Sequence, residues 1–358
     1  MARDYTAYDG YPDNQWWAAA ASSEVGDKPL GRVLLEQPVV IFRPAPGEVA
    51  ILEDRCSHRQ VPLSFGSVVE GAVQCNYHGL RFGADGRCVF APGMASPPRA
   101  ADIRGFPVAE RHGYIWVWFG SMAPDPALIP DYSWQTSAEY RGKITHTAIG
   151  CSYLLGLENV LDLSHFSYLH PTSVGSAGYA DIEPETWLED GEVRCVRVVE
   201  KLTPSALFRP LTKAPTVTLT DALRWKGPSY MFLTTTVAAY DGVFNMRGLA
   251  PYTPEHRGSH HHWFSHFVDF PIDEAAAEMI AKVAWQAIGE DRVVLEANQQ
   301  RIDNGMARNP VMLPGDKAPN LMRQLHRDLI TRSGLYAPDK AWRAELDRTS
   351  RLATVAPA

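Results

Sequence analysis

Two short segments constrain this chain more than anything else in it: CSH at 56–58 and CNYH at 75–78. Each pairs one cysteine with one histidine, and 16 residues separate the pairs. Pro62, Gly66, Gly71 and Gly79 surround them, so each pair fits the tip of a β-hairpin. Two such tips facing each other would present two thiolates, Cys56 and Cys75, and two imidazoles, His58 and His78, to a metal. A single zinc ion accepts that ligand set as a tetrahedron. The alternative is a [2Fe-2S] centre with both thiolates on one iron and both imidazoles on the other. Zinc-finger spacing groups cysteine with cysteine and histidine with histidine. Here each tip carries one of each, which favours the cluster.

A β domain around these tips is legible in short apolar runs broken by Gly and Pro: VVIFR (39–43), VAILED (49–54), VQCNY (73–77), RCVFA (87–91) and GYIWVWFG (113–120). We bound this domain at 14–120. Residues 121–134, with three prolines, read as a connector at the head of a second domain, 121–358, whose first strand starts near Tyr140. Alternating segments at 192–202, 230–240 and 260–270 predict further strands. The stretch from 272 to 303 is Ala- and Glu-rich with apolar residues at three- and four-residue steps, which predicts a long helix. A Pro-rich tail after Asn309 and a polar helix near 338–350 complete the expectation, giving an α+β chain.

With 45% hydrophobic and 21% charged residues, the composition is that of a folded soluble domain, and the net charge of -7 argues against a nucleic-acid partner. No window approaches a membrane span, and the N-terminus lacks a basic-then-apolar leader, so a cytoplasmic location is expected. That setting disfavours disulfides, and Cys88, Cys151 and Cys195 read as small core residues.

NVLDLSHFSYLH (159–170) is the second unusual segment. Asn159, Asp162 and His165 follow one another at i, i+3 steps, so on a helix they form a polar stripe along an apolar element. Burying that stripe costs several kcal/mol, order of magnitude, unless its members are paired or bind metal. We expect the helix to loosen near Tyr168, so that His170 swings back toward His165. Two imidazoles and one carboxylate make the facial triad of non-haem Fe(II). The carboxylate candidates are Glu290, Asp291, Glu296 and Asp303; Asp291 also reads as a helix N-cap after Gly289.

Together these segments resemble the Rieske non-haem iron oxygenases, and within them the oxygenase components of the vanillate and dicamba O-demethylase type. The similarity covers nearly the whole chain, including NQWWAAAASSEV, the cluster segment, ENVLDLSHFSYLHP and GEDRVVLEANQQRID. The resemblance implies a C-terminal helix-grip, START-like catalytic domain. It also implies a [2Fe-2S] cluster on Cys56, His58, Cys75 and His78, and Fe(II) on His165, His170 and Asp291, with Asp303 in reserve. Asp162 would bridge His165 to His78 of a neighbouring subunit in a homotrimer, and Asn159 would assist near the iron. His261 would contact a substrate carboxylate. The implied activity is O2-dependent mono-oxygenation of an aromatic, carboxylated substrate, with O-demethylation releasing formaldehyde and electrons from NAD(P)H through a separate flavin- or ferredoxin-type reductase. Ring hydroxylation or cis-dihydroxylation is the enzymatic alternative. A Rieske electron carrier and a zinc-stabilised ligand carrier are the others.

Overall fold

Four two-residue turns set much of the strand register. Leu35 and Glu36, Glu70 and Gly71, His112 and Gly113, and Asp190 and Gly191 all have positive φ, the conformation whose twist matches paired strands. Three of these turns carry glycine, which adopts that region without a Cβ clash; Leu35 and Glu36 reach it without one. The residues flanking each turn pair directly: Leu34 with Gln37, Val69 with Ala72, Arg111 with Tyr114 and Glu189 with Glu192.

The computed structural model describes residues 10–308 and 310–337. The chain divides into one unit of Gly10–Pro130 plus the segment from Ile330, and another of Asp131–Leu329.

The first unit holds three antiparallel sheets. One joins β1 (Gln15–Ala21), β11 (Tyr114–Phe119) and β10 (Val108–Arg111), with all six residues of central β11 buried. A second joins β2 (Leu30–Leu34), β3 (Gln37–Phe42), β4 (Ala50–Glu53) and β9 (Gly105–Phe106). The third, β5 (Ser67–Val69), β6 (Ala72–Gln74), β7 (Arg81–Phe82) and β8 (Cys88–Phe90), carries the second ligand pair on the loop between β6 and β7. Cys56 and Cys75 are buried in one core with Val40, Leu52, Leu63, Val73 and Phe82. His58 and His78 are exposed.

The second unit is one seven-stranded antiparallel sheet in the order β12-β18-β17-β16-β15-β14-β13. β13 (Glu185–Glu189), β14 (Glu192–Leu202), β15 (Val217–Lys226), β16 (Tyr230–Ala239), β17 (Gly242–His256) and β18 (Ser259–Val268) form a meander. β12 (Arg141–Ile149) pairs with the last strand. β15 alternates strictly, turning Val217, Leu219, Asp221, Leu223 and Trp225 into the interior. The helices are α1 (Tyr153–Leu161), α2 (Phe166–Leu169), the 30-residue α3 (Glu274–Asp303) and α4 (Lys317–Ser333). α3 lies along β12 and α1, which produces the α+β, helix-grip arrangement.

One expectation changes here. α4 occupies the region read as a Pro-rich tail: Pro319 falls in its first turn, where proline is tolerated, and Ala318, Met322 and His326 form a buried stripe at four-residue steps. The helix expected near 338–350 lies outside the described residues. Among the described residues no helix is long and apolar enough to cross a membrane.

Candidate metal centres

The two ligand loops of the first unit share one backbone pattern. The Cys56 N–H donates to the Val61 carbonyl (2.9 Å) and the Gln60 N–H to the Cys56 carbonyl (2.9 Å). Likewise the Cys75 N–H donates to the Leu80 carbonyl (2.8 Å) and the Gly79 N–H to the Cys75 carbonyl (3.0 Å). Gln60 and Gly79, each four residues after its cysteine, have φ of 62° and 77°. The His58 and His78 rings meet edge to face with centroids 4.5 Å apart. Burial pushes the Cys56 thiol pKa up; the His58 backbone N–H pulls it part of the way back, and Cys75 adds to the rise. The thiols are therefore buried side by side beneath two surface imidazoles.

One zinc ion would hold all four donor atoms within about 4 Å of one another. Among the described residues, the only three or more His, Cys, Asp or Glu side chains with donor atoms all within 4.8 Å are His165, His170 and Asp291. Cys56, His58, Cys75 and His78 do not form such a group.

The second unit forms its site by breaking a helix. α1 stops at Leu161, and Asp162 leaves the helical region at φ −121°, ψ 88°. A 3-10 turn (Leu163–His165) and the short α2 follow. α2 ends at Leu169, next to the expected loosening at Tyr168, and Asp162 adds an earlier break, because its carboxylate caps the new turn: its Oδ1 accepts from the Ser164 N–H (3.0 Å) and hydroxyl (2.5 Å). The contact with His165 that the resemblance assigns to this carboxylate is made by the main-chain carbonyl of Asp162, 2.6 Å from His165 Nδ1.

A carbonyl can only accept, so His165 Nδ1 is the donor in this contact and Nε2 is the ring nitrogen left to face a metal. That Nε2 is buried without a hydrogen bond and lies 3.4 Å from Asp291 Oδ1. His170, fully buried, has Nδ1 2.7 Å from Glu290 Oε2 and Nε2 3.2 Å from Asp291 Oδ1. The Ser173 hydroxyl donates to the same Glu290 oxygen (2.8 Å), and Asn159 Nδ2 donates to Asp291 Oδ1 (2.9 Å). Burial acts to raise the Asp291 pKa, but His165 and His170 outweigh it and hold the carboxyl below its ordinary value. Burial acts to lower the His170 pKa, but Asp291 and Glu290 outweigh it, so the net shift is upward. Two ε-nitrogens and one carboxylate oxygen, with both δ-nitrogens already committed, suit a divalent metal with open positions.

The other carboxylates separate cleanly. Asp291 sits inside α3, whose N-cap is Asp273, so the N-cap reading of Asp291 fails. Asp303 is at the far end of α3, ~18 Å along the axis, where it accepts from Gln299 (2.9 Å). Glu296 accepts from the Gly150 N–H (3.0 Å) and Arg292 (2.7 Å). Glu290 lies behind His170, on its Nδ1 (2.7 Å).

A largely apolar cavity between the sheet and α3 opens on His165, His170 and Asp291. Its walls include His262 and His266 but not His261. Alternation along β18 sends His261 to the opposite face, where a ring nitrogen is 3.0 Å from His146 and the ring packs against Trp263. His261 therefore does not line this cavity. His262, one residue on, lies in the wall.

A family model of the Rieske [2Fe-2S] domain matches residues 15–107, and one of the vanillate O-demethylase oxygenase C-terminal domain matches 149–332. The oxygenase component of dicamba O-demethylase from Stenotrophomonas maltophilia is 35% identical over 322 residues, 85% of this chain and 94% of that protein. The crystal structure of dicamba monooxygenase bound to dicamba superposes with a TM-score of 0.83 at 33% identity, covering 90% of this chain and 98% of the other. A further structure, of dicamba monooxygenase with non-heme iron and dicamba, has a TM-score of 0.76 at 34% identity, covering 89% and 97%. The chain therefore belongs to the Rieske non-haem iron oxygenases, as an oxygenase component of the vanillate and dicamba O-demethylase type.

Proposed function

We propose that this chain is the terminal oxygenase of a multicomponent system that oxidatively demethylates a small aromatic substrate. One observation carries the reading: two imidazole ε-nitrogens and one carboxylate converge on a largely apolar cavity, in a chain that also has a Rieske domain. Cys56, His58, Cys75 and His78 would hold the cluster, and His165, His170 and Asp291 a mononuclear Fe(II). The cluster supplies single electrons and the iron activates dioxygen. The net change balances as aryl-OCH3 + O2 + 2 electrons + 2 protons giving aryl-OH + formaldehyde + water.

The side chains hold and orient. Glu290 and the Asp162 carbonyl keep both δ-nitrogens protonated, and Asn159 restrains Asp291. The cavity's apolar walls exclude water around the reacting carbon. Electrons would come from NAD(P)H through a separate flavin- or ferredoxin-type reductase. Asp162 would pass them from His78 of a neighbouring subunit, which requires a closed ring such as a trimer.

The test is a formaldehyde assay over a panel of methoxylated aromatics with a surrogate reductase, alongside iron and acid-labile sulfide analysis. Three irons and two sulfides per chain with formaldehyde release are expected. Zinc without sulfide would sink the metal reading, and dihydrodiol products without formaldehyde would replace demethylation with ring oxidation.

A further inference from the structure

We infer that the cavity facing His165, His170 and Asp291 selects uncharged aromatic substrates and that His262 anchors them through a hydrogen bond. The inference rests on the oxygenase reading, since it takes this cavity as the substrate site.

The cavity's wall is mainly apolar, with Phe208, Met231, Leu233, Met246 and Ile288 among its residues, and among the described residues no Lys or Arg lines it. Most of its polar groups are already engaged. Asn159 is committed to Asp291. Asp221 Oδ2 accepts from the Tyr179 hydroxyl (2.6 Å) and Oδ1 from the Thr235 hydroxyl (2.5 Å). Arg197 stands opposite Asp221 on the neighbouring strand and over the Tyr179 ring (4.7 Å); it forms no part of the cavity wall.

His262 differs from these groups. Its side chain lines the cavity, only 6% of the residue is exposed, and neither ring nitrogen has a hydrogen-bond partner. Burial, with His260 beside it, pulls its pKa down to about 3, so the ring is neutral. A neutral imidazole offers one donor and one acceptor and cannot neutralise an anion.

A carboxylate or sulfonate entering here would be buried near Asp221 and Asp291 with no cation among the described residues in the wall, which is strongly unfavourable. An Fe(II) would bring two positive charges, and Asp291 and Glu290 already answer both. An uncharged ring bearing an amide, hydroxyl or carbonyl would find apolar walls and the unspent His262 ring. The adjoining groove between β12 and α3 does carry Arg141 and Lys143, but neither belongs to the wall of the metal-side cavity. The carboxylated substrate implied by the resemblance is therefore replaced by an uncharged one.

The test measures binding by calorimetry to the metal-loaded enzyme near neutral pH, without reductase, using 4-methoxybenzamide, 4-methoxybenzoate and methoxybenzene. The amide is expected to bind at least about tenfold more tightly than the benzoate, ~1.4 kcal/mol. His262→Phe should weaken amide binding about fivefold while leaving methoxybenzene within about twofold, and His262→Gln should recover part of the loss. If His262→Phe does not fold, His262→Gln against the wild type carries the comparison. Equal or tighter benzoate binding overturns the inference, most directly if Arg141→Glu or Lys143→Glu abolishes it. So does amide affinity that ignores the His262 substitutions, or no binding by either ligand. Formaldehyde release is scored separately: preferential amide binding supports the inference even if no formaldehyde follows, whereas formaldehyde from the benzoate alone overturns it with demethylation intact.

Discussion

Asn159 and Glu290 touch the proposed ligands without taking a coordination place: one donates to Asp291 and the other holds His170 Nδ1. Partners of this kind set ligand orientation, and their loss typically lowers metal affinity 10–100-fold. Asn159→Ala and Glu290→Gln should therefore each weaken Fe(II) retention by about that factor while leaving the cluster's visible spectrum unchanged. Dialysis against a graded chelator, followed by iron analysis, checks this; wild-type retention in both variants would remove the positioning role. At this scale the sequence is most legible where chemistry is rare. The cysteine–histidine pairs and the two histidines of 159–170 stand out because such side chains need a partner when buried. Glu290 was harder to place, since neighbouring helical residues diverge by ~100° and only the fold shows which carboxylate faces the metal. His261 and His262 pose the same difficulty on a strand, where a shift of one position exchanges the two faces.

At the scale of elements, the break between α1 and α2 makes the site. A continuous helix would leave His165 and His170 on diverging faces; the 3-10 turn capped by Asp162 instead brings their rings to 5.1 Å between centroids. Gly315 packs so closely that an added Cβ would collide with the Asp162 carboxylate. Asp162 therefore has a structural duty besides its proposed electron-transfer role, and two substitutions separate them. Asp162→Asn keeps an oxygen for Ser164 and should leave fold and metals intact while lowering turnover. Asp162→Ala should in addition cost about 1 kcal/mol of stability, the usual loss of a cap. Melting temperature, iron content and turnover distinguish the pair, and wild-type turnover in Asp162→Asn would end the bridging proposal. Period counting finds the end near Tyr168 but not the earlier break, because the apolar stripe continues through Leu163 and Phe166, whereas the capping bonds that interrupt it depend on Asp162 turning back on Ser164. α4 was missed for a related reason: prolines suggested an irregular tail, and the buried stripe of Ala318, Met322 and His326 only acquires meaning once something covers it.

Across the whole molecule, buried neutral histidines tie stability to pH. Burial holds His260 at about 4 and His262, His266 and His326 at about 3, below their ordinary value of 6.5. Between those limits the unfolded chain takes up protons that the folded chain cannot, so stability is full above pH ~6.5 and falls as pH drops through that value. Each such group contributes on the order of 1.4 kcal/mol per pH unit. Calorimetry should show the melting temperature of the second unit falling steadily between about pH 6.5 and 4; a flat profile would mean these rings charge freely in the folded state. The α+β organisation itself was readable from runs of alternation and one long Ala-rich period, since those patterns repeat over many residues. Strands such as β1, rich in alanine, escaped because their pairing with β11 outweighs weak intrinsic preference. Glu290 and Asp291 are consecutive residues of α3, so an axial slide of that helix would carry the metal's anionic arm and the brace of His170 together. A substrate that nudges α3 would thus retune the iron's surroundings as a unit, and the same 30-residue rod that walls the cavity could report its contents to the metal.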